Sequence, residues 1–430
     1  MTNLSGLICY NMKNYKGGQI IMKLIKDIIG YKKQVKKLEN ICDFLKNTDK
    51  YYDFEVDLPN CLLICGESGV GKTFMAKALM NDCGRKVFCV SGKELETKDV
   101  KKLFKKARKV ANSIVLIDDI DYQHKDSEVY GQLLEEMCDC KNGVFVIVTA
   151  DDKDYLPAYL LDKFDINMII ELEPPKIEES CEIFKPIFEE NKIGQDFNIN
   201  DFCCFAQDWT YSNIKEAFND ACRLAVYERQ NKVTMQHLIK AGLLLKGYEL
   251  AEEFDEATAY HEVGHAVVSL LLGGDAACIV LHGVGGGFFK EKNWDVKTYK
   301  DRERRYIVSV AGKACEEIFT GTSSIGSYSD LGKVSEAIEE DVRALASQGF
   351  EYFDSTVLDS PTYNDNLAKK VQSVMQKYFD KAKELIVQNR PLIEAFVESL
   401  KDKHYLLHSE IYRLYNDYIA AIQATNNKAG

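Results

Sequence analysis

Cys61-Leu62-Leu63-Ile64-Cys65-Gly66-Glu67-Ser68-Gly69-Val70-Gly71-Lys72-Thr73 decides the fold of the first part of this 430-residue chain. A short apolar run, the length of a buried strand, feeds a glycine-rich turn, and Phe74-Met75-Ala76-Lys77-Ala78-Leu79 behind the turn are good helix formers. Glycines at 66, 69 and 71 let backbone N–H groups turn inward at a helix N-terminus, where they cradle phosphate. Lys72 is placed to neutralise β/γ oxygens, and the Thr73 hydroxyl to hold Mg²⁺. Gly66, Glu67, Ser68, Gly69, Val70, Gly71, Lys72 and Thr73 are therefore the candidate nucleotide site, with ATP and Mg²⁺ as its ligands.

Around this string, apolar β-branched runs at 61–65, 87–90, 114–117, 144–149 and 168–172 alternate with helical stretches. That alternation predicts an α/β P-loop NTPase core, a parallel sheet between layers of helices. The run 114–117 ends in Asp118-Asp119, carboxylates at the carboxyl end of a buried strand, where Mg²⁺ and the attacking water meet. Asp118 is the Mg²⁺ candidate. Asp119 stands where a hydrolytic glutamate is usual, one methylene short, which misplaces a base. Pro174-Pro175 breaks the alternation, and 176–245 reads as helices only, with Ser212 as N-cap of the periodic run 214–227. After Lys246-Gly247 a further helical region follows, interrupted by a glycine-rich stretch at 283–287 and closing with long helical patterns over 367–421. The boundaries are an N-terminal arm at 1–23 without periodicity, a nucleotide-binding core at 24–173, a helical lid at 174–246 and a mainly α-helical domain at 250–424. Met22, just ahead of the first good pattern, is a second candidate start.

The last domain carries a second chemistry. His261-Glu262-Val263-Gly264-His265 lies in a segment, 258–272, that reads as one helix, so residues four apart project both imidazoles from one face and can bind one Zn²⁺. Glu262 then sits beside the metal as general base for its water. A catalytic zinc needs a third protein ligand; spacing leaves Glu316, Glu317 and Asp330 open. His404 and His408 repeat the spacing without a glutamate between them and read as surface or capping histidines in a closing helical hairpin.

Composition narrows the partners. At 46% hydrophobic the chain supports two or three domains with their own cores, and a formal charge of -12 leaves no basic footprint for nucleic acid or anionic membranes. The lysines over 98–109 are spaced like a solvated helix face. Fourteen cysteines are scattered without a CxxC pair, and Cys61, Cys65 and Cys278 lie in apolar runs, which fits a reducing cytoplasm. The longest apolar stretches, 144–150 and 266–274, fall short of the roughly 18 residues of a membrane span. No signal peptide is read.

With both strings in one chain, the sequence over about 24–414 resembles the FtsH family of AAA+ zinc proteases. The matching residues, in family order, are Ile29-Gly30, Ser91-Gly92, Gln132 to Met137, Phe164-Asp165, Ser212, Ala259 to Ala266, Ala311-Gly312 with Glu316-Glu317, and Ser329-Asp330-Leu331. The resemblance implies an AAA+ core with a helical lid ahead of a mainly helical zinc metallopeptidase domain. It makes His261, His265 and Asp330 the zinc ligands and Glu262 the catalytic base. It also implies degradation of unfolded or flexible proteins by a homo-hexamer that uses ATP. Four departures stand out. No transmembrane helix precedes the ATPase, so the chain looks like a soluble relative. The aromatic pore loop is replaced by Glu94-Leu95-Glu96-Thr97-Lys98, and a second pore loop within 121–131 is trimmed. The arginine-finger stretch reads Leu161-Asp162-Lys163-Phe164, and the sensor asparagine position reads Asp151. The peptidase is expected to act with little need for ATP hydrolysis; the alternative is an ATP-binding ring scaffold or regulator with ATP-independent peptidase activity.

Overall fold

The computed structural model describes residues 8–10, 24–55, 57–123, 127–140, 143–189, 193–292, 296–344 and 361–429. Most of the N-terminal arm, and 124–126 of the trimmed pore-loop segment, lie outside them. The chain forms two compact units: Met1–Ile187 with Asp208–Lys215, and Phe188–Gln207 with Glu216–Gly430. Residues 174–246 are thus shared between the two.

The first unit is built on a six-stranded sheet: β1 (Ile8–Tyr10), β2 (Cys61–Cys65), β3 (Val87–Ser91), β4 (Ile114–Asp118), β5 (Phe145–Ala150) and β6 (Ile169–Glu171), in the order β1-β3-β4-β5-β2-β6. The pairs from β3 to β6 are parallel and only β1 is antiparallel. β2 and β5 read as unbroken apolar runs because both faces are covered. Leu63, Val115, Ile117, Val146 and Val148 pack into one buried cluster, while Leu62, Ile64, Leu116 and Ile147 pack into another, as the period of two requires. β1 falls inside the arm read as patternless; three residues are too few to carry a period. The carboxyl end of β2 lies between β5 and β6 and leads into helix α1 (Lys72–Cys83), a position where open α/β sheets bind ligands.

The second unit is mainly helical, with α2 (Glu256–Leu271), α3 (Tyr299–Thr320), α4 (Tyr328–Ala344), α5 (Pro361–Gln388), α6 (Arg390–Leu400) and α7 (His408–Ala429). It also contains the parallel pair β7 (Gly194–Asp196) and β8 (Lys232–Thr234), where helices alone were expected. A second correction concerns the glycine-rich stretch. Residues 283–285 turn an antiparallel hairpin of β9 (Ala276–His282) and β10 (Gly286–Glu291), and β11 (Tyr405–Leu407) joins β9 from the far side. The expected helical hairpin carrying His404 and His408 is therefore two helices with the strand Tyr405–Leu407 between them, and His408 opens α7. β9 is apolar and almost wholly buried, and periodicity cannot separate such a run from a buried helix. The Ser212 cap shifts as well: the helix begins at Tyr211, and the Thr210 hydroxyl accepts the Asn213 N–H at 3.3 Å.

α2 is the centre of this unit, with Ala259, Val263, Ala266, Val267 and Val268 fully buried among residues of α3, α5 and α6. Gly264 allows α3 to come close: a Cβ there would lie 2.6 Å from Cys315 Cβ and 2.7 Å from the Ala311 carbonyl. Among the described residues no helix is long and apolar enough to cross a membrane.

Candidate metal centre and nucleotide site

Asp255 caps α2, its Oδ1 accepting the Thr258 N–H at 3.0 Å, and sets the first turn ahead of His261. His261 Nδ1 lies 2.7 Å from Glu316 Oε1, and His265 Nδ1 lies 2.6 Å from the Val308 carbonyl oxygen. Both partners only accept, so both Nδ1 atoms carry the proton and both Nε2 lone pairs are free. The two Nε2 atoms are 3.0 Å apart, with Asp330 Oδ2 at 3.2 Å from the first and 3.5 Å from the second. Ligands bonded tetrahedrally to zinc at about 2.0–2.1 Å sit roughly 3.4 Å from one another. The three atoms fit that ion without rearrangement, and among the described residues they are the one His/Cys/Asp/Glu group close enough to hold a metal.

α3 serves this site through residues spaced by four: the Val308 carbonyl holds His265, the Glu316 carboxylate holds His261, and Gly312 stands between them. A Cβ on Gly312 would lie 2.5 Å from His265 Nε2 and 2.6 Å from His261 Nε2, pressed against both rings at their ligating nitrogens. Of the three open candidates for third ligand, Asp330 alone reaches both Nε2 atoms. Glu316 acts from behind His261, and Glu317 pairs with Lys313 at 3.1 Å and Lys383 at 2.8 Å. His404 and His408 stay apart from metal chemistry, each turning Nδ1 to a backbone carbonyl, Ala251 at 2.6 Å and Ala276 at 2.8 Å.

Glu262 is buried beside β10, where the Phe289 N–H donates to it and a Cβ on Gly287 would lie 2.8 Å from its Cγ. Burial pushes its carboxyl up to about 7, against the pull of His265. For His261 burial works against the charged form, but Asp330 and Glu316 outweigh it and hold the imidazole above its ordinary value. Burial likewise opposes ionisation of Asp330, and the two histidines overcome it, holding the carboxyl well below the usual range.

In the first unit, Gly66, Gly69 and Gly71 adopt φ of 145°, 84° and 113°, a region that suits glycine and bends successive N–H groups to one side. A Cβ on Gly66 would lie 2.1 Å from the Leu172 carbonyl oxygen. Thr73 Oγ1 donates to Asp118 Oδ1 at 2.9 Å, so hydroxyl and carboxylate are poised to share Mg²⁺. Two residues unmarked in the sequence support them. The Thr149 hydroxyl donates to Asp118 at 2.6 Å and accepts the Asp119 N–H at 2.8 Å; Asp121 Oδ2 accepts the Asp151 N–H at 2.7 Å. Asp119 takes a left-handed conformation, φ 57°, and burial followed by the charge of Asp118 raises its carboxyl above the ordinary value. Lys93 Nζ is 3.9 Å from it. The segment at 94–98 presents no aromatic and turns Leu95 inward.

A phosphate-binding turn on a parallel sheet, followed by a helical unit with a His-His-Asp cluster, defines an ATPase domain joined to a metallopeptidase domain. Residues 62–172 match the ATPase family associated with various cellular activities (AAA), and residues 249–414 match peptidase family M41. The chain is 26% identical, over 90% of its length, to the ATP-dependent zinc metalloprotease FtsH of Streptobacillus moniliformis, covering 63% of that protein. It is 25% identical to FtsH 2 of Thermoanaerobacter sp., with 91% of this chain and 82% of that one aligned, and 27% identical to FtsH 2 of Symbiobacterium thermophilum, with 90% and 74%. The chain belongs to the FtsH family of AAA+ zinc metalloproteases.

Proposed function

We propose that this chain is a zinc-dependent endopeptidase coupled to an AAA+ ATP-binding domain, cleaving unfolded or flexible proteins as a homo-hexamer in the cytoplasm. The observation that carries the reading is the cluster of His261, His265 and Asp330 with buried Glu262 beside it. Zinc held by the three ligands would polarise the scissile carbonyl and acidify a water. Glu262 would take the proton of that water at its carboxylate and pass it to the leaving amine. Glu316 and the Val308 carbonyl keep both imidazoles in the ligating tautomer. β10 is an edge strand of its sheet among the described residues, and an extended polypeptide laid along it would find backbone partners next to Glu262. In the first unit, residues 66–73 would hold the phosphates, and Thr73 and Asp118 the Mg²⁺.

A second reading, in which nucleotide binding regulates or assembles a ring without turnover, draws support from the stretch Leu161 to Phe164, which offers no arginine, and from the ion pair of Lys72 with Asp151 at 2.5 Å. Casein degradation by the purified chain with ATP, with a non-hydrolysable analogue and without nucleotide separates the two. Glu262→Gln should lower cleavage by about 10³-fold with zinc content unchanged; unchanged cleavage would remove the peptidase assignment. Loss of cleavage in Lys72→Ala, with zinc and assembly intact, would instead show that the motor is required.

A further inference from the structure

Lys72 is already fully engaged. Its side chain is 5% exposed, and its three N–H donors reach the Gly66 carbonyl at 2.7 Å, the Glu67 carbonyl at 3.1 Å and Asp151 Oδ1 at 2.5 Å. An ammonium group has no fourth donor, so a phosphate can claim Lys72 only by displacing one of these. Asp151 is held toward Lys72. Its N–H is tied to Asp121 and its carbonyl accepts the Gly66 N–H at 3.2 Å, which fixes the backbone from which the carboxylate is aimed. The charge balance sharpens the point: Asp118 and Asp151 both act on Asp119 here, and the cations acting on it are Lys72 and Lys93. The FtsH resemblance places a neutral asparagine at this position, and the chain supplies an anion.

We propose that Asp151 sets the nucleotide preference of the site by acting as a resident anion on Lys72 that a terminal phosphate must displace, so that the chain favours ADP over ATP. The inference rests on reading 66–73 as the nucleotide site. A triphosphate carries one more negative charge than a diphosphate, and the groups around Lys72 bear that difference. Asp151→Asn keeps the shape and the backbone tethers and removes only the charge.

Titration of the full chain with Mg²⁺ and either ADP or the non-hydrolysable analogue AMP-PNP, by calorimetry, tests this. Wild type should bind ADP more tightly than the analogue. Asp151→Asn should strengthen analogue binding by about tenfold while ADP affinity changes far less, the latter also reporting that the site is folded; Asp151→Glu, which keeps the charge, should keep the discrimination. Binding of both nucleotides with a ratio indifferent to the charge at 151 would overturn the inference alone. Failure of wild type to bind either would overturn the nucleotide site and the inference with it.

Discussion

Gly312 is the residue whose replacement should be felt most directly. Alanine there would put a methyl carbon 2.5 Å from His265 Nε2 and 2.6 Å from His261 Nε2, forcing both ligating rings to shift, and α3 cannot back away without withdrawing Glu316 and the Val308 carbonyl. We expect Gly312→Ala to lower zinc affinity by at least about tenfold, as loss of an orienting partner does, measured by competition with a chromogenic chelator. Protons compete for the same cluster. In the metal-free protein Glu262 holds its proton up to about pH 7, whereas an unfolded chain releases it near 4.5, so folding stability falls as pH rises through that window. The His261 contribution has the same sign, present below its unfolded value near 6.5 and lost as pH rises past its higher folded one. Asp330 works the other way, but only in acid, and is constant from pH 5 to 8. Metal-free protein should therefore melt lower at pH 8 than at pH 5, with Glu262 contributing on the order of 3 kcal/mol. The rise in melting temperature on adding zinc should grow over the same range, and Glu262→Gln should flatten most of the metal-free slope. A metal-free melting temperature that rises with pH would contradict the argument.

At the scale of elements, three helices and a hairpin build the metal centre, and they are not equally legible. α2 announces itself through His261, Glu262 and His265. The parallel strands of the first unit, β2 to β6, announce themselves because strands covered on both faces are unbroken apolar runs, whereas β1 does not. α3 is visible as a helix, but its stripe of Val308, Gly312 and Glu316 works through a carbonyl, a missing side chain and a buried carboxylate, and only the last is a residue type that sequence reading singles out. Glu316 and Asp330 could not be ranked by spacing because their difference lies in depth: one stops behind the ring, the other reaches past it. The β9–β10 hairpin reads as a break in helices because its first strand is as apolar as the helix before it. A prediction belongs to the α2–α3 crossing: Gly264→Ala would drive a methyl into Cys315 and the Ala311 carbonyl. It should cost about 1–3 kcal/mol of stability in chemical denaturation and, by shifting the whole stripe, weaken zinc binding although residue 264 supplies no ligand atom.

For the whole molecule, ligands should act on the unit that holds them. Zinc at 100 times its dissociation constant stabilises its unit by about 2.7 kcal/mol, and nucleotide should do the same for the other, read as separate shifts in thermal melting of the full chain. The path of the chain bears on how such measurements can be made. It passes from one unit to the other at 187–188, at 207–208 and again at 215–216, so the two share three covalent crossings in place of a single linker. Residues upstream of 246 are also structural parts of the peptidase unit. Asp201 accepts the Ser409 N–H at 2.9 Å and its hydroxyl at 2.6 Å, and Lys290 on β10 donates to the Phe205 carbonyl at 3.1 Å. A fragment cut at residue 249 would strip the start of α7 and one end of β10 of these partners. One proteolytic nick would not release either half, and the shortest piece that keeps the peptidase scaffold whole begins before residue 201, carrying with it the segment 208–215 that belongs to the other unit.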